Sequence, residues 1–264
     1  MNQIQFKLLI RRFSDGYYKF KILSGEGCQQ VLDIIENSQL YFSTADQLND
    51  PLDCLPVFKV RGDLNDPKFI QVLQDEQSKI IAQQRLTRQE EADSRMQLGI
   101  QVTNLANAFM ANVRMEISRD LRLFCLSSTN EHPLLWSHYG NSHAGVCLHF
   151  RVANDSVFRL ARGVDYSNLD LARAMSLIKA DYWHYESEYR ILGHVTTDWG
   201  YPLKDGRFVS FPSELLIGIT LGMCISPTDR SLVKRWAAAR APALAVYEAV
   251  ENPDEFAIKI VQIA

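Results

Sequence analysis

The sequence predicts an α+β fold with a mixed or mostly antiparallel sheet. Short β-prone segments, rich in aromatic and branched apolar residues, occur near the beginning of the chain and again throughout its second half. A long stretch of helical composition separates these two β-rich parts, and two further helices fall among the later strands. The length of 264 residues is enough for one large domain with its own core. We therefore expect a single domain, residues 1–264.

The first β-rich part contains a strand, a helix and a second strand. Residues 17–22 (YYKFKI) are aromatic-rich and predict the first strand. The apolar residues of QVLDIIEN (30–37) follow a helical spacing and predict one short helix. LYFS (40–43) predicts the second strand.

A polar turn, NDPLD (49–53), follows the second strand. Asn and Asp side chains hydrogen-bond their own backbone and proline fixes φ, so this string is a strong turn signal. We expect Asn49 and Asp53 to cap backbone amides here. No other residues stand at calcium-loop spacing, so we interpret Asp50 and Asp53 as parts of a structural turn rather than as cation ligands.

Residues 66–119 are rich in Gln, Glu, Arg, Ala and Met and predict a helical insertion of two or three helices. Further helices are predicted near residues 170–180 and at 227–240, where Ser226 is a candidate N-cap and Pro227 occupies the first helical position. Six strands are predicted after the insertion, in the segments LRLFCLSS, GVCLHF, FRLARGVDY, SEYRILGHV, LLIGITLG and FAIKIVQIA.

Composition excludes several classes of protein. The formal net charge of −3 gives no global signal for nucleic-acid binding. No apolar run approaches the roughly 20 residues of a membrane span. The five cysteines are scattered and form no C-x-x-C pair, which disfavours a zinc knuckle or a secreted disulfide scaffold. We expect a cytoplasmic protein without membrane contact.

The common cofactor and catalytic motifs are absent from the sequence. It contains no G-x-G-x-x-G, no P-loop and no nucleophile elbow. Four histidines fall within residues 132–149, but their spacing does not place three ligands on one helical face. We therefore predict no bound metal.

The string ESEYR carries the strongest signal for chemistry. Read as a strand, it places Glu186, Glu188 and Arg190 on one face. Two carboxylates on one strand face repel each other unless a group opposite needs them. The competing interpretation is a solvent-exposed strand on which Arg190 screens both glutamates.

A second candidate region is WSHYGNSHAG, residues 136–145. Tyr139 offers an aromatic face for a ligand, and His143 is a further candidate ligand contact. Trp136 is predicted to pack in the core. The histidines His138 and His143 also suit loop positions with bonds to the backbone.

Several motifs together resemble the prokaryotic family called domain of unknown function 2971. They are YYKF, LYFSTADQLNDPLD, LFCLSSTNEHPLLWSHYGNSHAGVCLHF, VDY, KADYWHYESEYRIL and LLIGITLG, in this order along nearly the whole chain. Leu48 and Leu52 stand where the family pattern has phenylalanine, and both are apolar exchanges. YYKF, LYFS and ESE also resemble, in order, the motifs of ADP-ribosyltransferases, which are built on a split β-sheet.

The second resemblance implies NAD as a substrate and a macromolecular acceptor, protein or nucleic acid, as in bacterial toxins, effectors or phage-defence proteins. Glu188 would stabilise the positive charge that develops on the ribose. Glu186 would orient or deprotonate the acceptor. Lys19, Tyr41 and Ser43 would contact the dinucleotide, with Tyr41 stacking on the nicotinamide.

Two other functions stay open at this point. The same cleft around Tyr139 and Glu188 suits a non-catalytic ligand-binding or sensor module. A metal-dependent nuclease would instead use Asp50, Asp53, His143 and Glu188.

Overall fold

The computed structural model describes residues 16–54, 111–112, 115, 119–154, 156–166, 176–177, 179–195 and 201–264. The chain divides into two compact units, residues 1–54 with 119–264, and residues 55–118. The fold presented below is that of the first unit. Most of the helical insertion predicted at 66–119 and most of the helix predicted at 170–180 lie outside the described residues.

Ten strands and three α-helices build the described part of this unit. The helices are α1 (Gly25–Asn37), α2 (Pro133–Tyr139) and α3 (Pro227–Ala239). The strands are β1 (Tyr17–Lys21), β2 (Gln39–Tyr41), β3 (Leu121–Ser127), β4 (Val146–Phe150), β5 (Arg162–Gly163), β6 (Glu188–His194), β7 (Phe208–Ser210), β8 (Leu216–Leu221), β9 (Ala245–Glu251) and β10 (Ile258–Gln262).

Eight strands form one sheet in the order β10-β9-β8-β4-β1-β3-β6-β5, and β2 pairs with β7 in a small second sheet. The described neighbours are antiparallel except β8 and β9, which run parallel. The predicted α+β class with a mixed sheet is confirmed.

The large sheet opens between β1 and β3. β1 pairs with β4 along its whole length, from Tyr17 to Lys21, but within the described residues it pairs with β3 only at Tyr18, opposite Ser127. Further along β3, Leu123 pairs instead with Ser43, just beyond β2. On this edge of β3, Tyr18 and Ser43 therefore pair at separate positions and leave a gap between them.

Two apolar cores cover the sheet. β1 contributes Tyr17 to one core and Phe20 to the other, because an odd spacing places side chains on opposite strand faces. The predicted helix is confirmed as α1, and three of its four predicted apolar residues, Val31, Ile34 and Ile35, are buried in the first core, whereas Leu32 is half-buried. The second includes the fully buried Trp136 of α2, which confirms its predicted core position.

The predicted start of α3 is confirmed in detail. The hydroxyl of Ser226 accepts a hydrogen bond from the backbone N–H of Asp229 at 3.0 Å, and Pro227 follows in the first turn. None of the helices in the described ranges has both the length and the hydropathy that a membrane crossing needs.

Part of the strand prediction is wrong. The segment predicted as a strand at 158–166 contains only the two-residue β5, because Val157–Leu160 forms a 3₁₀ turn that buries Val157 and Phe158 together. Ser156 begins this turn, and its hydroxyl donates to the carbonyl of Ala153 at 2.8 Å. The strands β7 and β9 were not among the predicted segments.

The entry to β4 depends on a close backbone approach at Gly145. A Cβ added there would overlap the carbonyl oxygen of Lys21 and lie 3.0 Å from that of Gly140. We expect Gly145→Ala to lower the free energy of unfolding by about 1–3 kcal/mol, as overpacking does. Gly163→Ala is the matched control, since its Cβ would lie 3.6 Å from Tyr189 in ordinary contact. Urea denaturation of both variants tests this, and equal midpoints would contradict it.

Candidate functional site

A cavity of about 540 Å³ lies in the first unit. Its lining includes both strands at the opening, with Lys19 and Cys125 facing each other across it. The lining also contains all but one of the site residues predicted from the sequence, namely Lys19, Tyr41, Ser43, Tyr139, Glu186 and Glu188. This volume is within the range of small-molecule sites, about 300–1,000 Å³.

His143 is the predicted site residue that the structure does not bring to this cavity. It lies in the turn between α2 and β4 with a φ of 69°, and its ring Nδ1 has no hydrogen-bond partner among the described residues. Its neighbours Asn141 and Ser142 also have positive φ. The turn that carries the chain into β4 therefore fixes the position of His143 away from the cavity.

Arg190, on β6, binds two of the carboxylates that line the cavity. Its guanidinium binds Glu188 through Nε and Nη2 at 2.8 and 2.9 Å, and Asp53 through Nη1 and Nη2 at 2.9 and 2.6 Å. The carbonyl of Ser176 accepts from Nη1 as well, at 2.9 Å, so all five N–H donors have acceptors. The side chain is completely buried. The interpretation that Arg190 screens two glutamates in solvent is wrong.

Lys179 connects the same carboxylates to Glu186. Its Nζ lies 2.6 Å from Glu186, 3.2 Å from Glu188 and 3.4 Å from Asp53. We call Asp53, Lys179, Glu186, Glu188 and Arg190 the buried ion cluster. Three carboxylates and two cations leave it with one negative charge when every member is ionised.

Glu186 reaches the cluster by a route that differs from the prediction. It does not belong to the strand but ends the 3₁₀ helix Asp181–Glu186, and Ser187 follows with φ 45° in the left-handed region. This reversal starts β6 only at Glu188. The carbonyl of Glu186 accepts from the hydroxyl of Ser127 at 2.7 Å, which fixes the turn against β3.

The two glutamates differ in their pKa values. Burial alone would raise the pKa of Glu188, but Arg190 and Lys179 together outweigh burial and lower it to about 2. For Glu186, burial is the larger effect and raises the pKa above its ordinary value of 4.5, although Lys179 opposes it. Glu188 is thus a fixed anion, and Glu186 is the carboxyl group suited to exchanging a proton.

Tyr139 contacts Glu186 from α2. Its hydroxyl donates to Glu186 Oε1 at 2.5 Å and lies 3.1 Å from Oδ1 of Asn49. Burial and the adjacent carboxylate raise the pKa of this hydroxyl, which therefore keeps its proton. Glu186 consequently has an oriented hydrogen-bond donor on each oxygen, Tyr139 on one and Lys179 on the other.

The predicted capping roles in the NDPLD turn need correction. Asp50 is the residue that caps, since its Oδ1 accepts from the backbone N–H of Leu52 at 2.9 Å and its Oδ2 from the indole of Trp183 at 2.6 Å. Asp53 faces Arg190 instead, because a buried guanidinium needs a charged partner. Asn49 contacts Tyr139 rather than a backbone amide.

Two predicted contacts lie near the second strand. The hydroxyl of Tyr41 accepts from Arg207 at 2.8 Å and lies 3.1 Å from Gln47, so its ring is held at the cavity. Ser43 is half-buried in the lining, and its backbone pairs with Leu123 at 2.8 and 2.9 Å.

No role was predicted for Lys179, and Arg190 was predicted only to screen the two glutamates in the competing interpretation. Both stand in the string KADYWHYESEYR, within a few positions of the glutamates, so proximity was a usable signal. The pairing of Arg190 with Asp53, 137 positions away, has no counterpart in the sequence pattern.

Within the described residues, no group of three or more His, Cys, Asp or Glu side chains is arranged to hold a metal ion. Three of the four ligands proposed for a metal-dependent nuclease are not available together, because Asp53 and Glu188 bind Arg190 and His143 does not line the cavity. Comparisons with protein-family models, curated proteins and solved structures found no match for this chain. The resemblances drawn from the motifs therefore stay predictions.

Arg190 gives a direct test of the buried ion cluster. Arg190→Gln leaves Asp53 and Glu188 buried with one cation between them, so we expect the free energy of unfolding to fall by about 3–5 kcal/mol. The matched control is Arg230→Gln, since Arg230 is partly exposed where it pairs with Glu248. Its loss should cost less than about 1 kcal/mol. Chemical denaturation near pH 7 compares the two, and a similarly small effect for both would show that the cluster does not stabilise the fold.

Proposed function

We propose that this protein is an NAD-consuming enzyme of the ADP-ribosyltransferase type, acting on a protein or nucleic-acid acceptor in the cytoplasm. The observation that carries the proposal is the convergence of Lys19, Tyr41, Ser43 and the two glutamates on one cavity at the opening of the sheet. These residues come from segments that are far apart in the chain, and all of them line this one cavity.

The charges of the site suit this chemistry. When the bond between nicotinamide and ribose breaks, its electron pair leaves with nicotinamide and positive charge develops on the ribose. The buried ion cluster retains one negative charge next to the cavity, and Glu188 stays ionised across the physiological pH range. A preorganised charge of this kind favours the transition state without reorganisation.

Glu186 suits the second half of the reaction. A hydroxyl or amine of the acceptor forms the new bond to the ribose and must release a proton. The pKa of Glu186 is raised mainly by burial, which makes this carboxylate the stronger base of the two. Tyr139 and Lys179 hold it in position with one hydrogen bond to each oxygen.

The open edge of β3 suits an amide group such as that of nicotinamide. Leu123 directs both its N–H and its C=O to Ser43 on this edge, and in an antiparallel strand the residue two positions on has the same orientation. That residue is Cys125, whose carbonyl accepts from Lys19 at 2.7 Å across the opening. Because this carbonyl is already bound to Lys19, a carboxamide placed here would use the backbone N–H of Cys125 as its donor.

A second candidate function is a non-catalytic binding module. The observation that favours it is the burial of Glu188. Both of its carboxylate oxygens accept hydrogen bonds from Arg190, and the residue is only 6% exposed. In that case the buried ion cluster only shapes the wall of the cavity against which a ligand binds. Such a module would bind NAD without releasing nicotinamide.

Kinetics of two glutamine variants test the enzyme. We expect Glu188→Gln to lower nicotinamide release from NAD by about a hundred- to a thousand-fold, as loss of one electrostatic contact does in other enzymes. Glu186→Gln should spare hydrolysis of NAD and impair ADP-ribose transfer, because its partner is the acceptor. Glu248→Gln on the partly buried surface pair with Arg230 is the control and should change neither rate.

The assay follows nicotinamide release and ADP-ribose transfer from labelled NAD, with cell extract as the source of acceptor. A denaturation curve for each variant ensures that folded protein is compared, since Glu188 is also part of the buried ion cluster. NAD binding by the wild type with no release of nicotinamide would favour the binding module. If the wild type neither binds NAD nor releases nicotinamide, both functions are contradicted.

A further inference from the structure

Lys21 lies beside Lys19 and was not assigned any role by the motifs. Lys19 and Lys21 stand two positions apart on β1, so their side chains leave the same strand face, and both line the cavity. Like charges at this spacing repel. Such a pair is stable in a cavity wall when an anion lies between or beside the two ammonium groups.

Within the described residues, no carboxylate forms an ion pair with either lysine, although Glu188 and Glu186 attract Lys19 from a greater distance. The Nζ of Lys19 donates to the carbonyl of Cys125 at 2.7 Å, and the Nζ of Lys21 donates to the side-chain oxygen of Gln30 on α1. Both acceptors are neutral, and neither lysine forms an ion pair with a described carboxylate. Each ammonium group has three N–H donors, so each retains donors for a ligand.

The acids of the cavity are engaged elsewhere. Asp53, Glu186 and Glu188 all lie within 3.4 Å of Lys179, and the remaining acidic side chain of the lining, Glu26, is exposed. The cavity is therefore divided by charge. One part of the lining belongs to the buried ion cluster, which retains one negative charge, and β1 contributes two lysines that form no ion pair with a described carboxylate.

The energetics of Lys21 agree with this division. Burial, with a further contribution from the charge of Lys19, lowers the pKa of Lys21 to about 7. Burial also lowers the pKa of Lys19, against the attraction of the two glutamates. A bound anion would relieve both effects by compensating the charge that burial disfavours.

We propose that Lys19 and Lys21, with Lys21 held in place by Gln30, form a subsite for the phosphate groups of the ligand. Lysine is a compact point charge that binds phosphate oxygens by charge-assisted hydrogen bonds. The subsite itself rests on the two lysines, and the identity of the ligand as NAD rests on the proposed function. A pyrophosphate bound to these lysines would leave the ribose and nicotinamide to the part of the cavity that the glutamates line.

Calorimetry with inorganic pyrophosphate as the probe tests the subsite. We expect wild type to bind pyrophosphate and Lys21→Gln to bind it about tenfold or more weakly, as loss of a charge-assisted contact predicts. Lys234→Gln is the control, since Lys234 is exposed on α3, and it should bind like wild type. Equal affinity of all three proteins, or no binding by wild type, would overturn the subsite.

A second measurement uses only the wild type and so does not depend on the folding of a variant. Carbon NMR of the lysine side chains follows the titration of Lys21, and pyrophosphate should raise its pKa from about 7. An unchanged titration would contradict the proposal.

The same titrations separate this inference from the proposed function. Binding of pyrophosphate that depends on Lys21, with no binding of NAD, would retain the phosphate subsite and reject NAD as the ligand. Binding of NAD with an unchanged affinity in Lys21→Gln would reject the subsite and retain the proposed function.

Discussion

The buried guanidinium of Arg190 is the constraint on which the rest of the site depends. A completely buried charge is costly unless it is paired and hydrogen-bonded, and Arg190 satisfies its five donors with Asp53, Glu188 and one backbone carbonyl. These acceptors come from three separate segments. The guanidinium therefore holds the turn after β2, the chain near Ser176 and strand β6 in a single arrangement.

Lys179 extends this arrangement to the second glutamate and so to the chemistry. Because Lys179 contacts Glu186, Glu188 and Asp53 at once, the positions of the two glutamates are coupled, but their surroundings differ. Glu188 has Arg190 in addition and is held as an anion, whereas Glu186 has Tyr139 and keeps a raised pKa. One buried ion cluster thus produces two carboxyl groups with different tasks.

The opening of the sheet places this cluster within reach of a ligand. Lys19 spans the gap between β1 and β3 with its side chain, where a continuous sheet would have backbone pairs. The gap exists because β3 changes partner, from Tyr18 of β1 to Ser43 beyond β2. The same change of partner brings the second strand, with Tyr41, to the cavity.

The sequence predicted the fold class, helix α1 and the cap of α3, because these depend on local periodicity and on residues within one turn of each other. It also selected most of the cavity lining, through the order of short motifs. It misplaced Glu186, because serine gives no signal for the left-handed conformation that Ser187 adopts. The sequence also predicted wrong surroundings for Arg190 and Asp53. An alternating strand pattern does not tell which face of the strand is buried, and it gives no sign that Arg190 pairs with a residue 137 positions away.

The assignment of a fixed anion and a proton-exchanging carboxyl is the central claim, and NMR of the glutamate side-chain carboxyl carbons tests it most directly. Loss of one resonance in Glu186→Gln and of the other in Glu188→Gln assigns them, and the titration is then followed in the wild type. We predict that the Glu186 carboxyl titrates above its ordinary value of 4.5, and that Glu188 stays ionised as the pH falls until it approaches about 2 or the protein unfolds. Titration of both carboxyl groups together near 4.5, or of Glu186 below Glu188, would contradict the account.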